Sequence, residues 1–237
     1  MGKLIFVRHG QASFLSDNYD NLSDMGRQQC RHLGEYWVRH DVAIDRVYIG
    51  PRVRHRQSAE EAAVAFEAAG RTLPEPVMLP ELDEFAWGEL MAHARGPLAQ
   101  TDPQFGAFQR AFEESEDPDV KFRAVQNIIE RICLLWARGD IRLDSVEPWP
   151  DFAARVVRAI EIMTEDGGGT VAIFTSGGTV SAALRHALQL DPVKSLELIW
   201  TLRNGAITEF LHSNGRFNLG CFNEASHLPA PEYWTYR

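Results

Sequence analysis

Leu4-Ile5-Phe6-Val7-Arg8-His9-Gly10 sets an unbroken apolar run directly before an arginine, a histidine and a glycine. An apolar run this short, with no alternation, suits a strand buried on both faces, as in a parallel sheet. The same arrangement recurs twice. Arg46-Val47-Tyr48-Ile49 runs into Gly50-Pro51, and Val171-Ala172-Ile173-Phe174 runs into Thr175-Ser176-Gly177-Gly178. Helical patterns lie between. Ser23 can cap a helix with Gly26, Cys30, Leu33 and Trp37 on one face. Ala59, Ala62, Ala63, Phe66 and Ala69 follow the second run at helical spacing, and Val180, Ala183, Leu184 and Ala187 follow the third. This alternation predicts an α/β fold: three layers, α/β/α, around a mainly parallel central sheet. Residues 206–211 and 216–222 flank Asn214-Gly215, a hairpin signal that predicts an antiparallel edge strand.

Residues 91–150 break the rhythm. They carry the acidic stretch Glu113-Glu114-Ser115-Glu116-Asp117 and a helical pattern through Val125, Ile128, Ile129, Ile132 and Leu135. The expectation is a single domain over residues 1–237, with a helical insertion at about 91–150 packed over the sheet end. The acidic run reads as solvated surface. Lys and Arg number 24 against 33 Asp and Glu, a net charge of -9. That balance gives no bulk attraction to nucleic acid or an anionic membrane, although it leaves room for a local basic pocket. Cys30, Cys133 and Cys221 are far apart and form no CxxC pair, which fits small buried hydrophobes. No secretory leader or membrane-length apolar stretch is visible, so the cytoplasm is the expected compartment.

In a doubly wound sheet, ligands gather at the carboxyl ends of the strands. Arg8-His9-Gly10, the arginines after Pro51, and Thr175-Ser176-Gly177-Gly178 all stand at such ends. Phosphoryl transfer through histidine needs a neutral imidazole, cations on the phosphate oxygens and an acid for the leaving oxygen. Arg8 and His9 supply the first two side by side, and Gly10 would let the backbone approach an anion.

The stretch from Leu4 through Ser13 resembles the opening signature of the histidine phosphatase superfamily, branch 1, the phosphoglycerate mutase-like kind. Leu22-Ser23-Asp24-Met25-Gly26-Arg27-Gln28-Gln29 is similar to its first helix start. Gly50-Pro51-Arg52-Val53-Arg54-His55-Arg56-Gln57-Ser58-Ala59 resembles its Ser-Pro-x-x-Arg-x-x-Gln-Thr-Ala. Leu82-Asp83-Glu84-Phe85-Ala86-Trp87-Gly88-Glu89 looks like the segment bearing the acid, and Asp151-Phe152-Ala153-Ala154-Arg155-Val156 fits in family order. The resemblance implies that His9 becomes a phosphohistidine and that Glu84 is the proton donor, with Glu89 and Glu81 as nearby alternatives. It implies phosphate binding by Arg8 and Arg54; Arg52 and Arg56 are rivals by charge but out of register. Gln11 and Ser13 become possible substrate contacts. The implied partner is a small phosphorylated substrate or phosphate, and no cofactor and no metal are called for.

One departure bears on activity. The family's second histidine belongs where Ser176 stands, in a turn whose Ser176 hydroxyl and Gly177 backbone can still bind phosphate. His227 is a candidate replacement, if the tail folds back over the site. The other histidines read as structural or exposed. The mutase-type Ser-x-Trp-Asn stretch is replaced by Ala12-Ser13-Phe14-Leu15, which argues against bisphosphoglycerate-dependent mutase activity. The expected function is a metal-independent phosphomonoesterase acting through phosphohistidine. The alternatives are a phosphate-binding pseudoenzyme and a phosphoglycerate mutase.

Overall fold

The structure, a computed structural model, describes residues 1–13, 20–165 and 167–236. Among these, six strands form one sheet: β1 (Gly2–Arg8), β2 (Arg46–Ile49), β3 (Pro76–Met78), β4 (Gly169–Thr175), β5 (Ile207–Ser213) and β6 (Arg216–Glu224). Their order is β3-β2-β4-β1-β5-β6. The first four are mutually parallel, β5 runs antiparallel to β1, and β6 antiparallel to β5. The antiparallel part is the hairpin at the sheet edge that Asn214-Gly215 signals, with β6 outermost. At its tip Asn214 and Gly215 both take positive φ, 50° and 74°, as a tight primed turn requires. β3 carries no sequence pattern. It is three residues long, lies at the sheet edge and begins on a proline, a residue confined to edges, strand starts and bulges.

β1 explains its own unalternating sequence. Its Ile5 and Val7 face a cluster with Leu33, Trp37, Ala59, Ala62 and Phe66, from α1 (Asp24–Arg39) and α2 (Val53–Ala68). Its Leu4 and Phe6 face the other layer, with Phe152, Val156 and Ile160 of α6 (Trp149–Thr164) and Val180 of α7 (Gly177–Leu188). Each such side chain stabilises the fold by about 1.5–3 kcal/mol on burial. As expected, Ser23 caps α1, its Oγ accepting from the Gly26 N–H at 3.1 Å, a contribution of about 1 kcal/mol.

The region between β3 and α6 folds as α3 (Trp87–Thr101), α4 (Pro103–Glu114) and α5 (Pro118–Arg138). α5 buries Ile128, Ile132 and Trp136 in the larger core cluster. Asp102 ties the three together: it caps α4 and pairs with Arg131 of α5 at 2.7 Å. The acidic run at 113–117 is mostly exposed. Arg155 of α6 links this region to the sheet end. It grips Glu147 and donates to the carbonyls of Glu81 and Asp83 at 2.9 and 3.1 Å.

Gly10 is required by packing. A Cβ there would collide with the Gly26 carbonyl, and a Cβ on Gly26 would collide with the Gln11 backbone. The pair lets α1 press against the loop that follows β1. Gly26→Ala should therefore lower the unfolding free energy by about 1–3 kcal/mol, the usual range for overpacking. An unchanged urea midpoint would show that loop and helix can part without loss.

Candidate active site

Arg8 pairs with Thr175 in the parallel β1–β4 ladder, so the next residues, His9 and Ser176, leave the sheet side by side. His9 is still held by the ladder: its N–H donates to the Thr175 carbonyl at 2.8 Å. From the other side, the Gly205 N–H donates to the carbonyls of Arg8 and His9 at 3.0 and 3.2 Å. The His9 backbone is thus fixed on both flanks.

His9 is 6% exposed, and its ring Nδ1 lies 2.7 Å from the Gly10 carbonyl oxygen. A carbonyl only accepts, so Nδ1 carries the hydrogen and Nε2 keeps the lone pair. Burial, aided by Arg54 and Arg8, holds the ring well below the ordinary histidine range. It is a neutral imidazole, the form a nucleophile needs.

Arg8 and Arg54 are 9% and 4% exposed. Arg8 donates Nη1 to the Leu202 carbonyl. Arg54, in the first turn of α2, pairs through Nη1 with Asp20 at 2.7 Å and donates Nη2 to Ser176 Oγ at 3.3 Å. Asp20 also accepts the Val53 N–H, which fixes the start of α2. The rival arginines point elsewhere. Arg52 pairs with Asp83 at 2.5 Å and Arg56 with Glu60 at 2.7 Å.

Glu84 follows a short helical turn pinned by Thr175 Oγ1 to the Leu82 carbonyl, by Thr179 and by Arg155. Its carboxylate accepts N–H bonds from Gly178 and Phe85, each 3.0 Å. Burial pushes the carboxyl above the usual glutamate range, against the pull of those bonds and of Arg54. Glu89 is exposed, and Glu81 does not line the pocket.

The pocket brings together Arg8, His9, Arg54, Glu84 and Gly177 at its polar end. Phe85, Trp87, Ile129, Cys133, Ile199, Trp200 and Tyr236 form the rest of its described walls. Burial pushes the Cys133 thiol up to about 12, so this wall is uncharged. Among the described residues, no cluster of three or more His, Cys, Asp or Glu could hold a metal ion. No helix of the described residues is long and apolar enough to cross a membrane.

Other expected contacts sit elsewhere. Gln11 accepts from Ser23 Oγ at 2.8 Å, and Ser13 pairs by its backbone with Asn21; neither lines the pocket. Phe14 and Leu15 lie outside the described residues. His227 is buried beside Tyr36 of α1 and Gly205, where burial pushes it down to about 4. The tail does return to the site, but it delivers Tyr236, anchored by Thr235 on Gln29 and Asn204. Ser176 is 1% exposed, does not line the pocket, and faces a residue that the sequence reading passed over: His55 Nε2 lies 2.7 Å from its Oγ.

Fold and site define an α/β protein whose buried polar side chains converge at the carboxyl ends of parallel strands. The family model for the histidine phosphatase superfamily (branch 1) matches residues 4–138 and 121–225, and the chain belongs to that superfamily. A 2,3-bisphosphoglycerate-dependent phosphoglycerate mutase of Corynebacterium efficiens is 24% identical over 205 residues, covering 78% of this chain and 76% of the mutase. Among solved structures, Bacillus stearothermophilus YhfR matches with a TM-score of 0.63 at 16% identity, covering 96% of this chain and 99% of its own. A phosphoserine phosphatase of Entamoeba histolytica, complexed with 3-phosphoglyceric acid, matches at TM-score 0.65 and 18% identity, covering 96% and 100%.

The site's protonation states can be read directly. His9 should stay neutral, with hydrogen on Nδ1, as the pH falls through about 6.5, where an exposed histidine titrates. Its pKa is depressed on folding, so its contribution to stability is present above about 6.5 and is lost as the pH falls toward the lowered value. Nitrogen chemical shifts across a titration would check this. A His9 midpoint at or above about 6.5 would contradict it.

Proposed function

We propose that this protein is a metal-independent phosphomonoesterase that works through a phosphohistidine at His9, on monoesters whose alcohol part is apolar. The observation that carries this reading is the presence, in one pocket, of a neutral His9, two arginines and a carboxyl raised toward its protonated form. Such a set matches the needs of phosphoryl transfer role by role.

In the first step His9 Nε2 attacks phosphorus. The bond from phosphorus to the ester oxygen breaks, and Glu84 gives its proton to the departing alkoxide. Arg8 and Arg54 balance the charge on the phosphoryl oxygens. In the second step Glu84, now a carboxylate, takes a proton from water as its oxygen attacks the phosphohistidine. Phosphate leaves, and His9 and Glu84 return to their starting states. The guanidinium groups supply the positive charge, so no metal is called for.

The aromatic and aliphatic walls favour a leaving group that can be buried against them. Burying a benzyl-sized group contributes about 1.5–3 kcal/mol, or roughly 10- to 100-fold in relative affinity. A mutase would keep the dephosphorylated product in place for rephosphorylation, which walls of this character do not favour for a carboxylated triose. A binding protein alone would have no use for a carboxyl raised beside a neutral nucleophile.

Benzyl phosphate should exceed 3-phosphoglycerate in kcat/KM by about tenfold or more, and it should release inorganic phosphate. The two alcohols are poor leaving groups of similar kind, so the comparison reads the walls. His9→Ala should abolish turnover and EDTA should leave it unchanged. Glu84→Gln should cost about 10²- to 10⁴-fold on benzyl phosphate but far less on 4-nitrophenyl phosphate, whose leaving group needs no acid. Chelator-sensitive activity, or turnover by His9→Ala, would contradict the mechanism. A preference for 3-phosphoglycerate would contradict the substrate class alone.

A further inference from the structure

His55 follows Arg54 in the first turn of α2, and its ring is 0% exposed. Its two nitrogens meet different surroundings. Nδ1 is pressed against Gly50, where a Cβ would overlap the ring. Nε2 lies 2.7 Å from Ser176 Oγ, and that oxygen also accepts from Arg54 Nη2 at 3.3 Å. The His55 and His9 rings stand 5.9 Å apart, centre to centre. His55, Ser176 and Arg54 therefore close a triangle beside the nucleophile, assembled from the start of α2 and the residue after β4.

We propose that His55 is a positioning residue of the phosphoryl-transfer site, acting through Ser176: His55 orients the Ser176 hydroxyl, which in turn fixes the Arg54 guanidinium that lines the pocket. The inference rests on the phosphatase reading above. A serine hydroxyl alone is a free rotor with one hydrogen to place. Between a guanidinium that can only donate and an imidazole nitrogen, its arrangements are few. Preorganised donors of this kind are effective because no reorganisation is needed as charge shifts in transfer.

Space supports the same reading. His55 occupies the volume that a larger side chain at 176 would enter, since its ring already meets Oγ at hydrogen-bond distance. An imidazole reaches this corner from α2, and a small residue at 176 leaves room for it. The two positions should therefore behave as an exchangeable pair.

The test is a swap. On benzyl phosphate, His55→Ala should lower kcat by about 10- to 100-fold, with KM changing by only a few-fold. That is somewhat less than the loss of a direct donor. Ser176→His alone should give no gain, because two imidazoles would compete for one space. The double variant His55→Ala/Ser176→His should recover at least tenfold in kcat over His55→Ala, each rate being taken per folded molecule from thermal melts. A merely structural His55 would not be rescued in kcat by a histidine at 176. A kcat for His55→Ala within twofold of wild type would overturn the proposal, as would a folded double variant no faster than His55→Ala.

If the double variant does not fold, His55→Gln and His55→Leu decide. Glutamine can keep a hydrogen bond to Ser176 and should retain several-fold more activity than leucine; equal rates would overturn the proposal. If wild-type protein neither turns over nor forms a phosphoenzyme, the phosphatase reading fails separately. Calorimetry with inorganic phosphate then tests the pair: about tenfold weaker binding by His55→Ala supports it, and unchanged binding overturns it.

Discussion

The pairing of Arg8 with Thr175 governs the geometry of everything around it. Parallel neighbours lie about 4.8 Å apart, so two strands that end in register deliver their next residues as neighbours. Here those residues are His9 and Ser176. The ladder does not stop at β1's last residue, because the His9 N–H still reaches the Thr175 carbonyl and Gly205 closes the other flank. A side chain set on so fixed a backbone needs only its rotamer to be settled, and the Gly10 carbonyl settles it through Nδ1. Thr175 does a second job with its hydroxyl, which holds the Leu82 carbonyl and so helps to place Glu84. One strand end thereby positions both His9 and Glu84.

The electrostatics follow from burial. Two guanidinium groups less than a tenth exposed are unfavourable unless balanced. Asp20 offsets Arg54, and the surrounding groups adjust their protonation: the His9 and His55 rings are held neutral, largely by burial and then by the arginines. Charged and polar groups buried this closely give the site less stability than an apolar core of the same size would.

His9 and Arg8 stood out at the end of an apolar run, Arg54 and Glu84 came from the resemblance, and the four line one pocket. The sheet was legible for a related reason, since a strand buried on both faces must be continuously apolar. β3 was not, because an edge strand of three residues needs no pattern. His55 escaped because its partner is Ser176, 121 residues away, and periodicity carries no information about contacts of that range. The same holds for Asp20 on Arg54 and for Arg155 on the carbonyls of Glu81 and Asp83. Gly10 was legible as a constrained glycine, but the crowding neighbour is the Gly26 backbone. For the tail, its return over the site was anticipated with the wrong residue: Tyr236 lines the pocket, while His227 packs behind it against α1.

The central claim is that phosphate passes through His9, and trapping the intermediate tests it most directly. Wild-type protein mixed with phosphorus-labelled benzyl phosphate, quenched in alkali within milliseconds and digested, should yield one labelled peptide containing His9. The label should survive base and be lost in acid, as a phosphoramidate is. Label found on another residue, or none at a time when turnover is under way, would contradict the account.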